Sequence, residues 1–277
     1  MIQVKDRSSK WRRIRWAVFI VVLSVISMSQ SVQAVPNGGY AHQEILLQPE
    51  ELKALIDRKE PNLRIIDVRE RLQYLSGHIP GAVQVWRPDI EDRMHALPGM
   101  MAAQKQVEDL MGDLGIDNKS MIVVYSDGPD NGRLWWALAY YGFPIRQMKL
   151  LDGGIDAWKA KGYSVEIASP KVEKASFKLS KEAKRVRTML CTLSDLKSAL
   201  RRPDKVILDV RSKGEFWGEE TKKGATRPGR IPGVIWIEWN KVLVEDSPYK
   251  DYWKPADEVK KVFSAKGVTP DKDIYIY

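Results

Sequence analysis

The stretch Leu63-Arg-Ile-Ile-Asp-Val-Arg69 returns 142 residues later as Lys205-Val-Ile-Leu-Asp-Val-Arg211. Each is a short apolar, β-branched run closed by charged residues. That is the pattern of a buried parallel strand whose C-terminal end faces a site. Further along the chain, Gly77-His-Ile-Pro-Gly-Ala82 returns as Gly229-Arg-Ile-Pro-Gly-Val234. Gly115 and Tyr125 return as Gly267 and Tyr277, all at one offset of 152. The difference between the two offsets puts ten extra residues in the second copy, around Gly218–Pro228. A period this long means a duplicated domain, because solenoid repeats run about 20–50 residues.

Helical spacing fills the gaps between these strands. Pro49–Ile56 and Thr192–Leu200 read as amphipathic helices, the second opened by a capping box of Thr192 with Asp195. Leu134–Tyr141 reads as an apolar helix after a Gly-rich loop, and Met148–Leu151 as a further strand. Alternating elements of this kind predict an α/β fold, a parallel sheet with helices on both faces. The expected organisation is a first domain over 44–165, a linker over 166–190 rich in Lys, Ser and Ala, and a second domain over 191–277.

Residues 1–34 are set aside from the fold. Six bases against one acid, the 13-residue apolar run Trp16–Met28 and a Val-Gln-Ala ending at Ala34 form a secretory signal. The apolar run falls short of the ~20 residues of a spanning helix. An exported, periplasmic protein is therefore expected, with an uncleaved anchor over residues 16–28 as the alternative. Without the leader the net charge of +9 falls to about +4. The remaining basic stretches, Lys181–Arg187 and Lys222–Arg230, are interrupted and loop-like. They read as solvated surface rather than the clustered basic face of a nucleic-acid binder. One cysteine, Cys191, allows no intrachain disulfide. His42 and His95 lack spaced Cys or His partners, and no phosphate loop is present, so no metal and no cofactor are expected.

Asp67-Val-Arg69, Gly77–Ala82, Gly132-Arg-Leu-Trp-Trp136 and Leu151-Asp-Gly-Gly-Ile-Asp-Ala-Trp158, in that order, resemble the first domain of a tandem rhodanese, a thiosulfate sulfurtransferase. Asp209-Val-Arg211, Glu215, Gly218 and Gly229–Val234 resemble the second. The resemblance implies two domains, each a small parallel five-stranded sheet flanked by helices, the second incomplete. It also implies a cysteine directly after the Tyr-ending strand of the second domain. Loop N–H groups and a helix N-terminus there would lower the thiol pKa and hold a persulfide. The implied partners are a small sulfur-containing anion as donor and a thiol or cyanide as acceptor.

The two copies locate that position. After Tyr125 comes Ser126, which cannot carry a persulfide, followed by Asp127 and Asp130, which oppose an anion. The first domain is therefore expected to be non-catalytic. After Tyr277 the catalytic residue would be position 278, one residue beyond the sequence. Three readings of that ending stay open: a selenocysteine codon read as a stop, a truncated cysteine enzyme, and a dead gene. The second copy would then lack a strand and two covering helices and expose apolar surface. Cys191, about eighty residues upstream, cannot substitute.

Among the other residues, Arg211 and Arg230 are candidates to face an anionic substrate. Asp67, Arg69, Asp209, Glu215 and Arg133 read as loop-orienting or structural groups: the aspartates pair with Arg69 and Arg211, and Arg133 docks its helix onto the sheet. His78 reads as the brace of a turn. The rival to a sulfurtransferase is a non-catalytic rhodanese-like module that binds an anion or a protein. A phosphatase relative with a longer catalytic loop also stays open. The oligomeric state is not legible.

Overall fold

A computed structural model describes residues 39–128, 130–179, 189–246 and 250–277. The expected leader over 1–34 lies outside the described residues, as does the linker over 180–188. Among the described residues no helix is long and apolar enough to cross a membrane.

The first copy forms a five-stranded parallel sheet in the order β1-β5-β4-β2-β3. Its strands are β1 (Leu46–Leu47), β2 (Leu63–Asp67), β3 (Ala82–Gln84), β4 (Met121–Tyr125) and β5 (Met148–Leu151). Alternate residues enter two cores, as a sheet buried on both faces requires. Ile65, Val123 and Tyr125 pack with Leu52, Ile155 and Trp158 on one face. Ile66, Ile122 and Val124 pack with Val107, Met111, Leu134 and Leu138 on the other. The covering helices are α1 (Pro49–Asp57), α2 (Arg71–Ser76), α3 (Gln104–Asp113), α4 (Asp130–Tyr140) and α5 (Gly154–Ala160).

The second copy contributes α6 (Leu193–Ala199), β6 (Lys205–Asp209), α7 (Lys213–Trp217), β7 (Ile235–Trp236), α8 (Ala256–Ser264) and β8 (Asp273–Ile276). Thr192 caps α6 as its sequence predicts: its hydroxyl accepts from the Asp195 N–H at 3.2 Å. The sheet order is β7-β6-β8, the counterpart of β3-β2-β4. The register repeats residue by residue. Leu63 pairs with Met121 and Asp67 with Gln84; Lys205 pairs with Asp273 and Asp209 with Trp236.

The described second sheet is shorter than the first by two strands, not by the single strand expected. The reason is the order of the first sheet: β1 pairs only with β5, so a sheet without a β5 counterpart has nowhere to seat a β1. The outer edge of β8 carries Ile274 and Ile276, 43% and 59% exposed.

The connection after the first copy is irregular over 167–179 but tightly held. His78 and Glu166 exchange both backbone hydrogen bonds at 2.9 Å. Phe177 and Leu179 are buried in the core of the first copy. Ala175 N–H donates to Gly112 O at 2.9 Å, an approach so close that a Cβ on Gly112 would meet that segment at 2.6 Å.

Candidate active site

Both repeated Asp-Val-Arg motifs build the same frame at the C-terminal edge of their sheets. Asp67 Oδ1 accepts from the Arg69 N–H at 2.9 Å, and Arg69 Nη2 reaches Asp67 Oδ2 at 2.6 Å. The same guanidinium donates to Gly77 O at 2.8 Å, tying the strand end to the Gly-His-Ile-Pro turn. Tyr125 Oη donates to Asp67 Oδ2 at 2.7 Å and accepts from the Ile79 N–H at 3.0 Å. Val68 N–H donates to Tyr125 O at 3.1 Å, which fixes the peptide leading into Ser126.

The second frame matches it. Arg211 Nη2 lies 2.7 Å from Asp209 Oδ2 and 2.9 Å from Gly229 O, and Ile231 N–H donates to Tyr277 Oη at 3.3 Å. Val210 N–H donates to Tyr277 O at 3.1 Å, so the Tyr277 carbonyl is held as that of Tyr125 is. Burial disfavours both charged forms, pulling Arg69 down and pushing Asp209 up, but in each the partner charge outweighs it. The Asp67 carboxylate holds Arg69 above its ordinary value, and Arg211 holds Asp209 below the usual carboxylate range.

One pair of positions carries the symmetry without sequence identity. Gln84 Nε2 donates to Arg69 O at 3.2 Å and Trp236 Nε1 to Arg211 O at 3.0 Å, both closing the frame from the neighbouring strand. They stand 152 apart, yet an amide and an indole do not register as a match.

Of the arginines expected to face substrate, each is engaged within the protein. Arg211 is committed to Asp209 and Gly229. Arg230 lies 4.4 Å from the ring centres of both Phe216 and Trp217, a cation–π contact with each of two edge-to-face rings. It takes the place of His78, whose ring stacks on Tyr74 at 3.8 Å and whose Nδ1 meets Tyr74 O at 2.9 Å. Glu215 closes the first turn of α7, its N–H donating to Ser212 Oγ at 3.2 Å. Arg133 does not dock α4 on the sheet. It reaches away to Gly99 O and lies 3.5 Å from Glu91, because its helix position faces the 91–99 loop. Burial, with Arg87 nearby, keeps Arg133 below its ordinary value.

Ser126 is buried, and its hydroxyl accepts from the Gly128 N–H at 3.2 Å. A cavity of about 870 Å3 opens beside it, lined by Arg87, Asp127 and Asp130 and by Lys222 and Lys223 from the ten-residue insertion of the second copy. Burial pushes the Asp130 carboxyl up, against the opposing pull of Arg87 and Arg133. Asp127 and Asp130 thus both place carboxylates on the wall of the cavity beside Ser126.

The description "Rhodanese-like domain" fits residues 48–161. The thiosulfate sulfurtransferase of Azotobacter vinelandii is 30% identical over 239 residues, covering 85% of this chain and 82% of that protein. The chain belongs to the rhodanese sulfurtransferase family. The sulfur carrier protein TtuD of Thermus thermophilus is 28% identical over 256 residues, with 86% and 84% covered. The crystal structure of the 3-mercaptopyruvate sulfurtransferase SseA of Escherichia coli shares the fold at a TM-score of 0.72 and 24% identity, over 84% of this chain and 87% of that one.

In this rhodanese the two copies meet at the Leu151-Asp-Gly-Gly segment. Asp152 is fully buried; its carboxylate accepts from Gln48 Nε2 at 2.9 Å and, across the boundary, from the Trp253 N–H at 2.8 Å. Both of these donors are neutral, and burial raises the carboxyl's pKa while the hydrogen bonds oppose the rise. The sign follows from linkage. A carboxyl with a raised folded pKa favours folding most when protonated, and that contribution is lost as pH rises through the folded pKa. Asp152→Asn, which keeps an acceptor for Trp253 and removes the charge, is expected to flatten the fall in stability between the ordinary carboxylate range and neutrality. Urea unfolding over a pH series checks this; an unchanged slope would sink it.

Proposed function

We propose that this chain transfers a sulfur atom from a small anionic donor, of the thiosulfate or 3-mercaptopyruvate kind, to a thiol or cyanide acceptor. Sulfur would ride as a persulfide on the residue that follows Tyr277. The single observation behind this reading is the second frame, which repeats the first in register and hydrogen bonding up to Tyr277. The first frame holds the Tyr125 carbonyl that leads into Ser126 at the C-terminal edge of its sheet; the second holds the Tyr277 carbonyl in the same way, which supports placing the sulfur-carrying residue directly after it. A thiolate or selenolate there would attack the donor's transferable sulfur, whose bond to the rest of the donor breaks as sulfite leaves thiosulfate or the enolate of pyruvate leaves 3-mercaptopyruvate. The acceptor thiolate or cyanide would then take the outer sulfur and free the enzyme's thiolate or selenolate. A hydroxyl such as that of Ser126 would not make the first attack. An exported location, on the strength of the leader over 1–34, is part of the proposal.

The test is a mass spectrum of the C-terminal peptide of protein purified from its native host, paired with a sulfur-transfer assay. Cysteine or selenocysteine after Tyr277, with activity abolished by replacing it, is the expected result; selenium would declare itself by its isotope pattern. A native peptide ending at Tyr277, or activity that survives the replacement, would defeat the reading. The non-catalytic binding module would then stand.

A further inference from the structure

The boundary between the two copies holds a second, smaller cavity, of about 180 Å3, on the other side of the Ser126–Gly128 loop. From the first copy it is walled by that loop and by Gly153 and Gly154; from the second by Trp239, Leu243, Asp251 and Trp253. Its lining is mostly apolar and holds no lysine, arginine or histidine. The charged groups on it are Asp127 and Asp251.

Neither carboxylate is neutralised by an ion pair among the described residues. Asp127 Oδ2 accepts from the neutral amide of Gln73. Asp251 is held at a φ of 67° while its N–H donates to Val244 O at 2.9 Å, and its carboxylate has no hydrogen-bond partner among the described residues. Lys250 acts on Asp251 from outside the lining. Burial still pushes the Asp251 carboxyl up, and Asp156 and Asp127 add to the rise, so the pocket is short of positive charge.

We propose that this cavity binds a small organic cation, an ammonium group bearing methyl or hydrogen substituents, against the indoles of Trp239 and Trp253 and the carboxylates of Asp127 and Asp251. Indoles are the best aromatic partners for such a cation, and the carboxylates compensate the loss of its water. Size agrees. A cavity of ~150 Å3 holds a molecule such as benzene, whereas drug-sized or nucleotide ligands take ~300–1,000 Å3. An anionic sulfur donor would be repelled by the same walls, so this site is separate from the one in which sulfur would be transferred and does not depend on that reading.

The experiment is calorimetric titration of the full chain with tetramethylammonium chloride at constant ionic strength. The controls are sodium chloride and tert-butanol, a neutral molecule of similar shape. Saturable binding of the cation alone is expected, weakened about fivefold or more by Trp239→Leu and by Asp251→Asn. Trp239 is 38% exposed, so its replacement leaves the cores intact. Should Trp239→Leu melt early, Asp251→Asn, which keeps the side chain's shape, decides. Absence of a saturable heat, equal binding of tert-butanol, or unchanged affinity in a folded variant would each overturn the proposal.

Discussion

Arg69→Ala is expected to destabilise the protein by about 3–5 kcal/mol, the loss typical of breaking a buried pair and stranding one charge. The Arg69 side chain is 4% exposed and that of Asp67 not at all. Deletion leaves Asp67 with the Tyr125 hydroxyl and the backbone N–H of position 69, and leaves Gly77 O without its donor. The matched change in the second copy, Arg211→Ala, is expected to lose less, about 1–2 kcal/mol, because that side chain is 28% exposed and water screens the Asp209 charge. Urea unfolding of the two variants side by side is the measurement. Equal losses would mean that the second frame is as closed to water as the first, and that its exposed flank is covered in solution. An Asp67→Leu/Arg69→Met double variant is expected to recover much of the loss, since paired apolar groups strand no charge.

The paired frames explain why so much of this fold could be read from the sequence. A strand that ends in Asp-Val-Arg, a Gly-x-Ile-Pro-Gly turn and a Tyr-ending strand recur together because one hydrogen-bond network needs all three. The carboxylate holds the arginine, the arginine holds the turn carbonyl, and the tyrosine closes the ring. Local capping was legible for the same reason: Thr192 and Asp195 satisfy each other within one turn.

What escaped the sequence is what depends on distant contacts or on very short elements. The two-residue strands Leu46–Leu47 and Ile235–Trp236 are too short to show a period. The role of Asp152 rests on partners 104 and 101 residues away in the chain. Arg230 reads as a substrate-facing cation because charge is visible in a sequence, whereas a flanking pair of rings is not. The sequence pairs Arg230 with His78, but not the shared packing: Arg230 lies over Phe216 where His78 stacks on Tyr74, 142 residues before Phe216. The insertion was located by arithmetic, but the arrival of Lys222 and Lys223 beside the first copy's loop was not.

The Gly153-Gly154 pair opens α5 and serves the site at the same time. Gly154 has a φ of 54°, and a Cβ there would lie 2.0 Å from Ser126 O, a backbone atom with no freedom to retreat. Gly153, at a φ of 68°, would press a Cβ within 2.5 Å of the Tyr252 ring from the second copy. One glycine therefore admits the loop that follows β4, and its neighbour admits the other domain. Gly154→Ala is expected to lose about 2–5 kcal/mol, combining roughly 1–2 for the left-handed backbone with 1–3 for the overlap. Gly153→Ala combines a left-handed backbone with overlap of the buried Tyr252 ring and the Ala157 Cβ, so its loss is expected to be comparable and to fall in part on the contact between the copies. Gly132→Ala, where a Cβ meets nothing within 4 Å and the backbone is helical, is expected to stay within about 1 kcal/mol of the parent. Thermal and urea unfolding of the three variants rank them. A Gly154→Ala protein as stable as Gly132→Ala would show that the loop carrying Ser126 can move off the sheet edge, and the frame around Tyr125 would then not fix the residue that follows it.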